Sequence, residues 1–576
     1  MKTLLRDLRV RITYDIEGKH YKHSFVGSYR GEQLDVELKL NESTHISTLK
    51  LSVLPHRSLT MHSLIIELKH AFSKDETIFM NGYQSWTDSR EFFIDEKLHS
   101  ISKLAYPLLD KYQFDKYGDT NFKKTSRRSG DFHGYTYAYL RRNDQYLLIG
   151  SLLELNGFTI INTNVKDDLI RIEKDCDGLV IDHRYDAFDL VFIEGDENQV
   201  FDTYFKAMDI DQPKAKPMTG WTSWYNYYQN ISEKIILNNL EALYSANKKI
   251  DIVQVDDGYQ TFIGDWLDVD VNKFPKGMKH IAQQIHSKGY KAGLWLAPFV
   301  CETNSGLFKE HPDWIQRDKQ GNLALAGGNW SRFYALNLDH VEVRVYIKHV
   351  FDVVLNDWDY DLVKLDFLYA VCMHPTKTKT RGQIMCDAMD FLRECVGDKL
   401  ILGCGVPLGP SFGKVDYCRI GCDVGLDWND KAYMRLFHRE RVSTLNALGN
   451  TIGRRQLSGR AFINDPDVFF FREDNIQLTQ TQKETVTFIN KHFGGLLFTS
   501  DDITNYSKTQ HKLFDETMKT ETIEILEVKP KRSGLIEFSY LIEGVQYDAR
   551  INLDDKTHQE VPAYSVSKTR RMEGER

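Results

Sequence analysis

Apolar and polar residues alternate strictly at the start of the chain. Residues 8–14 alternate, as do 36–40, 48–54 and 63–68. Further runs lie at 146–153, 158–162, 169–172 and 179–181. A period of two marks a strand with one buried face. Turn residues separate the runs and helical periodicity is weak. Residues 1–212 therefore read as an N-terminal β-sandwich domain. One loop breaks the pattern: Asn81-Gly82-Tyr83-Gln84-Ser85-Trp86, aromatic and polar at once.

The pattern changes after Asp211-Gln212-Pro213-Lys214-Ala215-Lys216-Pro217, a linker by composition. Short apolar strands now alternate with helical segments, which calls for parallel β/α architecture. Eight strands are predicted, at 220–225, 251–257, 291–298, 362–367, 399–405, 417–423, 460–465 and 495–501. Helices are predicted at 232–246, with Ser232 as N-cap, and at 278–288, stopped by Gly289. Two more are predicted at 341–355 and 381–396. This spacing predicts an α/β fold whose catalytic (β/α)₈ barrel spans residues 213–507. Strands return at 522–528, 535–541 and 546–552, a small C-terminal β domain within 508–576. Its last residues, 568–576, are charged and expected to be disordered.

Composition changes this picture little. The 576 residues are 41% hydrophobic and 27% charged, as in ordinary globular protein. A net charge of −8 argues against nucleic acid or anionic membrane as partner. Aromatics reach 12%, which suits sandwich cores and sugar-binding clefts alike. The eight cysteines form no CxxC pair and no Cys/His cluster, so no structural zinc is expected. Such a scatter suggests reduced thiols and a cytoplasmic protein. Cys418 and Cys422 fall on the sixth predicted barrel strand and read as core facing the helices. No N-terminal stretch is apolar enough for a signal peptide, and no run could span a bilayer.

Charge gathers at the strand ends. Leu362, Lys364 and Asp366 share one strand face; Val363, Leu365 and Phe367 share the other. The ammonium of Lys364 is expected to hold Asp366 ionised, and a positioned carboxylate is a candidate nucleophile. Other strands end in Trp224-Tyr225, Asp256-Asp257, Cys404-Gly405 and Asn464-Asp465-Pro466-Asp467. The third carries Trp295 between two small residues, and the sixth carries Arg419 and Asp423. The C-terminal rim is where such barrels do chemistry. Two carboxylates on different strands, each beside a cation, suit glycoside hydrolysis. Rings suit the apolar face of a sugar, and Asp256 with Asp257 suits vicinal hydroxyls. A Mg²⁺ site on Asp256, Asp257, Asp366 and Asp465 competes, but Lys364 and Arg419 would repel the ion.

Several segments resemble the retaining α-galactosidases of glycoside hydrolase family thirty-six. They include Gly220-Trp221-Thr222-Ser223-Trp224-Tyr225, Gln254-Val255-Asp256-Asp257-Gly258-Tyr259 and Gly293-Leu294-Trp295-Leu296-Ala297-Pro298-Phe299. Others are His311-Pro312-Asp313-Trp314, Lys364-Leu365-Asp366-Phe367, Leu402-Gly403-Cys404-Gly405 and Arg419-Ile420-Gly421-Cys422-Asp423. They occur in the family's order and cover the barrel. The loop 81–86 resembles one that the family's N-terminal domain sends into the active site. The resemblance implies hydrolysis of terminal α-galactosyl residues by double displacement, with no cofactor. It implies Asp366 as nucleophile and Asp423 as acid/base, with Asp427 a rival for the latter role. Trp86, Trp224, Tyr225, Asp256, Asp257, Trp295, Lys364, Cys404 and Arg419 would surround the galactosyl unit. Cys404 would look onto C2 of galactose, where a thiol crowds an N-acetyl group. A small-molecule α-galactoside is the implied partner, and a homo-oligomer is compatible with the sequence. The same fold also serves α-N-acetylgalactosaminidases and α-galactosyl transferases, and a catalytically dead sugar binder would keep the same contacts.

Overall fold

A computed structural model describes residues 2–571. The N-terminal part is two antiparallel sheets, of seven and eight strands, packed face to face. The first strand, β1 (Arg9–Ile16), buries alternate residues: Val10, Ile12, Tyr14 and Ile16 point inward. It pairs with β2 (Lys19–Val26) on one side and β3 (Leu59–Lys69) on the other. Leu64, Ile66 and Leu68 of β3 meet Leu49, Leu51 and Val53 of the facing sheet in one apolar interior. Each such side chain contributes about 1.5–3 kcal/mol when fully buried. The helix Glu197–Met208, capped by the Asp196 side chain on Gln199 N, leads out of the sandwich.

The barrel strands are Met218–Thr222, Ile252–Val255, Lys291–Leu296, Leu362–Leu365, Leu400–Gly403, Tyr417–Arg419, Ile463–Asp465 and Leu496–Thr499. Neighbours in this order pair in parallel through the seventh, and the first also pairs with the eighth. The seventh strand is broken. Pro466 has no N–H for a ladder, and Asp467 takes a left-handed φ of 77°. The chain then re-forms a two-residue strand, Val468–Phe469, that pairs with the eighth. Gly495 N donates to Asn464 O at 2.8 Å, so the break still closes the ring.

Every observed barrel strand is shorter than its sequence reading, mostly at the rim. Strand one stops at Thr222, and Trp224–Tyr227 turns into a helical segment. Strand six stops at Arg419, so Cys422 and Asp423 lie in a loop rather than on a strand. Polar rim residues leave the ladder because side chains replace its hydrogen bonds: Ser223 Oγ accepts from Asp256 N at 2.9 Å. The helices fall close to expectation: Glu233–Ser245, capped by Ser232, then Gly277–Ser287, Val341–Asp352 and Arg381–Val396.

The C-terminal sheet has four strands, Ile523–Pro530, Leu535–Ile542, Val545–Asn552 and Val566–Arg570. The fourth corrects the sequence reading. Lys568–Arg570 is not a disordered tail but pairs with residues 547–549. Its charged, exposed side chains suit an edge strand, whose backbone alone makes the bonds. Residues 572–576 of the expected tail lie outside the described residues. No helix among the described residues is long and apolar enough to cross a membrane.

The sandwich, barrel and tail share one apolar interior, running from Phe79, Tyr137 and Tyr139 through the barrel to Phe538. The aromatic surplus collects at this seam, where Phe79 stacks on Tyr139 at 4.8 Å. A buried arginine fastens it. Arg454 donates to Asn81 Oδ1 at 3.0 Å, Ser85 O at 2.5 Å, Gln84 O at 3.1 Å and Ile420 O at 2.9 Å. Burial pulls its guanidinium down to about 10, so it keeps its charge at neutral pH. Arg454→Met should strand these acceptors and cost about 2–4 kcal/mol. Calorimetry and limited proteolysis should find a lower melting temperature and faster cutting within 81–86; unchanged values would mean the loop is held by packing alone.

Candidate active site

A cavity of about 470 Å³ opens at the C-terminal ends of the barrel strands. Trp86, Trp224, Asp256, Asp257, Trp295, Lys364, Asp366 and Asp423 line it together. A larger cavity, about 740 Å³, lies by Met218, Thr219 and Gly495. That is the N-terminal end of the strands, where barrels of this kind place stability rather than catalysis.

Asp366 sits one residue past strand four. Trp295 Nε1 donates to its Oδ2 at 3.1 Å, and Phe367 N donates to its Oδ1 at 2.9 Å. The second bond needs Phe367 in the left-handed region, φ 53°. Such a backbone costs of order 1–3 kcal/mol and concentrates at functional sites. It also takes Phe367 off the face it was expected to share with Val363 and Leu365 and onto the cavity wall.

Lys364 does not bond Asp366. Its Nζ donates to Asp256 Oδ2 at 2.8 Å, with both groups buried. Burial opposes the Lys364 charge, but Asp256 outweighs it and the ammonium is held firmly protonated. Asp366 goes the other way from expectation: burial raises its pKa, and Lys364 and Trp295 offset this only in part. Burial likewise raises Asp257, against donors from Gln260, Gln229 and Trp330. Their bonds are 2.6, 2.8 and 3.0 Å long.

The opposite wall is built on Arg419. This buried guanidinium donates to Asp423 Oδ1 at 2.9 Å and to Asp465 Oδ2 at 3.0 Å, and lies 2.9 Å from Asp467 Oδ1. Burial opposes its charge, but Asp467 and Asp465 outweigh it and raise the pKa. Asp423 is the one that reaches the cavity; its side chain is 36% exposed. Asp467 is buried, accepting from Tyr225 OH and from Val424 N at 2.9 Å. Burial pushes it up to about 7 despite Arg419.

The Melibiase family profile matches residues 217–387, which includes barrel strands one to four and Asp366. α-Galactosidase 1 of Pediococcus pentosaceus is 28% identical over 177 residues, 26% of this chain and 24% of its own length. The A type blood α-D-galactosamine galactosaminidase of Flavonifractor plautii is 29% identical over 176 residues, 29% of this chain and 16% of that one. The match thus spans a quarter or less of these curated relatives. Structural likeness runs further. The α-galactosidase TtGalA of Thermus thermophilus superposes with a TM-score of 0.70 at 25% identity, covering 93% of this chain and 98% of that one. It was solved with p-nitrophenyl α-D-galactopyranoside and, separately, with stachyose. The family 36 enzyme AgaA of Geobacillus stearothermophilus shares the fold, with a TM-score of 0.61 at 13% identity over 90% of this chain and 73% of that one. The chain is thus similar to the Melibiase family over the first half of its barrel and shares the fold of solved α-galactosidases over nearly its whole length.

Three residues that the family resemblance placed around the sugar stand behind the wall instead: Tyr225, Cys404 and Arg419. Tyr225 holds Asp467 and Arg419 holds Asp423. The Cys404 thiol accepts from Trp86 Nε1 at 3.3 Å. Gly405 leaves room for the Trp86 ring, since a Cβ there would stand 2.9 Å from it. Asp427 lines a different cavity, with Leu426 and Asn475, and not the one holding Asp366.

Sequence reasoning missed more than half of the residues that line this cavity. Trp330 donates to Asp257 at 3.0 Å, and Tyr117 OH donates to Asn329 Oδ1 at 2.7 Å. Phe114 stacks on Phe437 at 4.4 Å near the mouth. These residues come from loops without periodicity; the aromatic, glycine-flanked Gly328-Asn329-Trp330 was the one available signal.

Asp467 makes a testable contribution to stability. Its folded pKa, about 7, lies above the ordinary carboxyl value of 3.8. Its contribution is therefore fully present below about pH 4 and lost as pH rises through 7. Asn cannot ionise and tolerates the left-handed backbone at this position. Asp467→Asn should flatten the fall in melting temperature between pH 5 and pH 8, measured by scanning calorimetry against the parent. Parallel profiles would show that Asp467 is ionised throughout.

Proposed function

We propose that this protein is a retaining α-galactosidase acting through Asp366 and Asp423. One observation carries the reading: two carboxylates from different strand ends line the same cavity, each fixed by a different kind of group. Asp366 is held by an indole and a backbone N–H, and so presents an oxygen of defined direction. Asp423 is held by a guanidinium and keeps access to solvent.

In the first step, a carboxylate oxygen of Asp366 bonds to C1 of the sugar as the glycosidic bond breaks. Asp423 gives its proton to the departing oxygen. In the second step, Asp423 takes a proton from water, the water oxygen bonds to C1, and the Asp366–sugar bond breaks. A poorly solvated Asp366 carboxylate suits attack, because little water must leave it. Asp256 and Asp257 accept from sugar hydroxyls, with Lys364 beside them, and Trp86, Trp295 and Trp330 border the sugar's apolar surfaces. The substrates bound in the Thermus structures, an aryl α-galactoside and stachyose, support terminal α-galactosyl groups as the target. The galactosaminidase relative makes an α-galactosaminide a comparison substrate. Eight unpaired cysteines suit a reducing cytoplasm.

The assignment of Asp423 is tested by leaving-group dependence. General acid catalysis typically supplies about 10²–10⁴-fold. Asp423→Ala should lose that much on melibiose, yet spare the first step with activated aryl galactosides. Added azide should then yield α-galactosyl azide. If the azide product is the β anomer, or if Asp427→Ala behaves this way and Asp423→Ala does not, the assignment fails.

A further inference from the structure

On the N-terminal sandwich, three adjacent strands bring two imidazoles and a carboxylate together, and none of the three lines the active-site cavity. Asp15 on β1 and His20 on β2 are direct cross-strand partners. His62 arrives by a different device. In the β1–β3 ladder Thr13 pairs with Ser63 and Tyr14 with Met61, so His62 is the extra residue of a bulge. A bulge re-aims a side chain. Here it sends His62 to the carboxylate that His20 already meets. His20 Nδ1 lies 2.7 Å from Asp15 Oδ1, and His62 Nε2 lies 2.9 Å from Asp15 Oδ2. The three ligand atoms lie within 4.8 Å of one another.

His62 also has a carboxylate on its other nitrogen: Nδ1 is 3.3 Å from Asp177 Oδ1. A neutral imidazole has one N–H and can satisfy one of two flanking carboxylates. A cation at the remaining nitrogen resolves the conflict. With Nδ1–H donating to Asp177, the Nε2 lone pair is directed at the Asp15–His20 group. Carboxylates placed this way behind metal-bound histidines fix the tautomer and raise ligand basicity.

We propose that Asp15, His20 and His62 bind a divalent transition-metal ion of the zinc type, with Asp177 positioning His62. Two imidazoles and one carboxylate suit Zn²⁺, Co²⁺ or Ni²⁺ over Mg²⁺ and Ca²⁺, which prefer all-oxygen shells. Metal–nitrogen distances near 2.0–2.1 Å in a tetrahedron put the nitrogens about 3.4 Å apart. The side chains, 61% exposed for His20 and 33% for His62, are free to close on the ion. Three protein ligands leave a fourth position to water. The gain is mechanical. β2 is the outermost strand of its sheet and has no buried residue, so little but backbone pairing and ring contacts holds it. An ion would tie β2 to β1, β3 and the Asp177 loop. A search for cysteine spacings misses such a site, because its ligands are assembled across strands.

The test uses the full chain without an affinity tag, stripped with chelator. Calorimetric titration with Zn²⁺ should find a single saturable equivalent that raises the melting temperature. Co²⁺ should give the visible absorption of a low-coordinate nitrogen–oxygen site. His20→Gln and His62→Gln should each abolish both signals, and Asp177→Asn should weaken binding about tenfold or more. His340→Gln, in the group of Asp313, His340 and Glu342, should change nothing. If the His62 variant misfolds through loss of its bulge, His20→Gln on the edge strand still decides the question. Absence of saturable binding, or binding unchanged in His20→Gln, would overturn the proposal and leave His62 as an imidazolium between two carboxylates.

Discussion

Arg419 is the charge on which the rim of the cavity depends. It is a buried guanidinium with carboxylates from three positions around it, Asp423, Asp465 and Asp467. A charge taken from water must be paired and hydrogen-bonded, or it costs several kcal/mol. Arg419 meets that demand by drawing the loop after strand six and the break in strand seven onto one point. At the break Pro466 ends the ladder, and the left-handed Asp467 brings its carboxylate within 2.9 Å of Arg419. One cation therefore places the solvent-facing Asp423 across the cavity from Asp366. Lys364 plays the matching part on the other wall, where its partner is Asp256 rather than the nucleophile candidate beside it.

The barrel alone does not make the cavity. Trp86 is delivered by the sandwich, and its indole ends on Cys404 of the barrel. Arg454 fixes the loop that carries it by gathering carbonyl oxygens from both sides of the seam. These two contacts turn a domain boundary into part of the site. The continuous apolar interior behind them explains why so many aromatic residues sit where sandwich and barrel meet.

The centre of each barrel strand was legible because a parallel, doubly covered strand must be apolar on both faces. Strand ends were not. Trp224, Tyr225 and Asp423 read as strand residues, but rim side chains take over the hydrogen bonds that would continue the ladder. Period-two reasoning put Phe367 on the strand face opposite Lys364 and Asp366; one left-handed residue puts it on the cavity. The sign for Asp366 was wrong for a related reason. A neighbouring ammonium lowers a carboxyl pKa, but full burial acts on the same group and is the larger effect here. Tyr117 and Phe437 come from loops whose meeting is purely tertiary, so no local pattern announced them. The fourth C-terminal strand escaped notice because an edge strand rich in Lys and Arg has the composition of a tail.

The proposed double displacement requires Asp366 to form a covalent bond to the sugar. A fluorinated α-galactosyl fluoride that reacts quickly in the first step and slowly in the second should accumulate that species. Mass spectrometry of the intact chain and then of its proteolytic peptides reads out the result directly. One added fluorogalactosyl group is expected, on the peptide that carries Asp366 and on its carboxylate, and none in Asp366→Ala. A label on Asp423 or on another carboxylate, or equal labelling of Asp366→Ala, would contradict it.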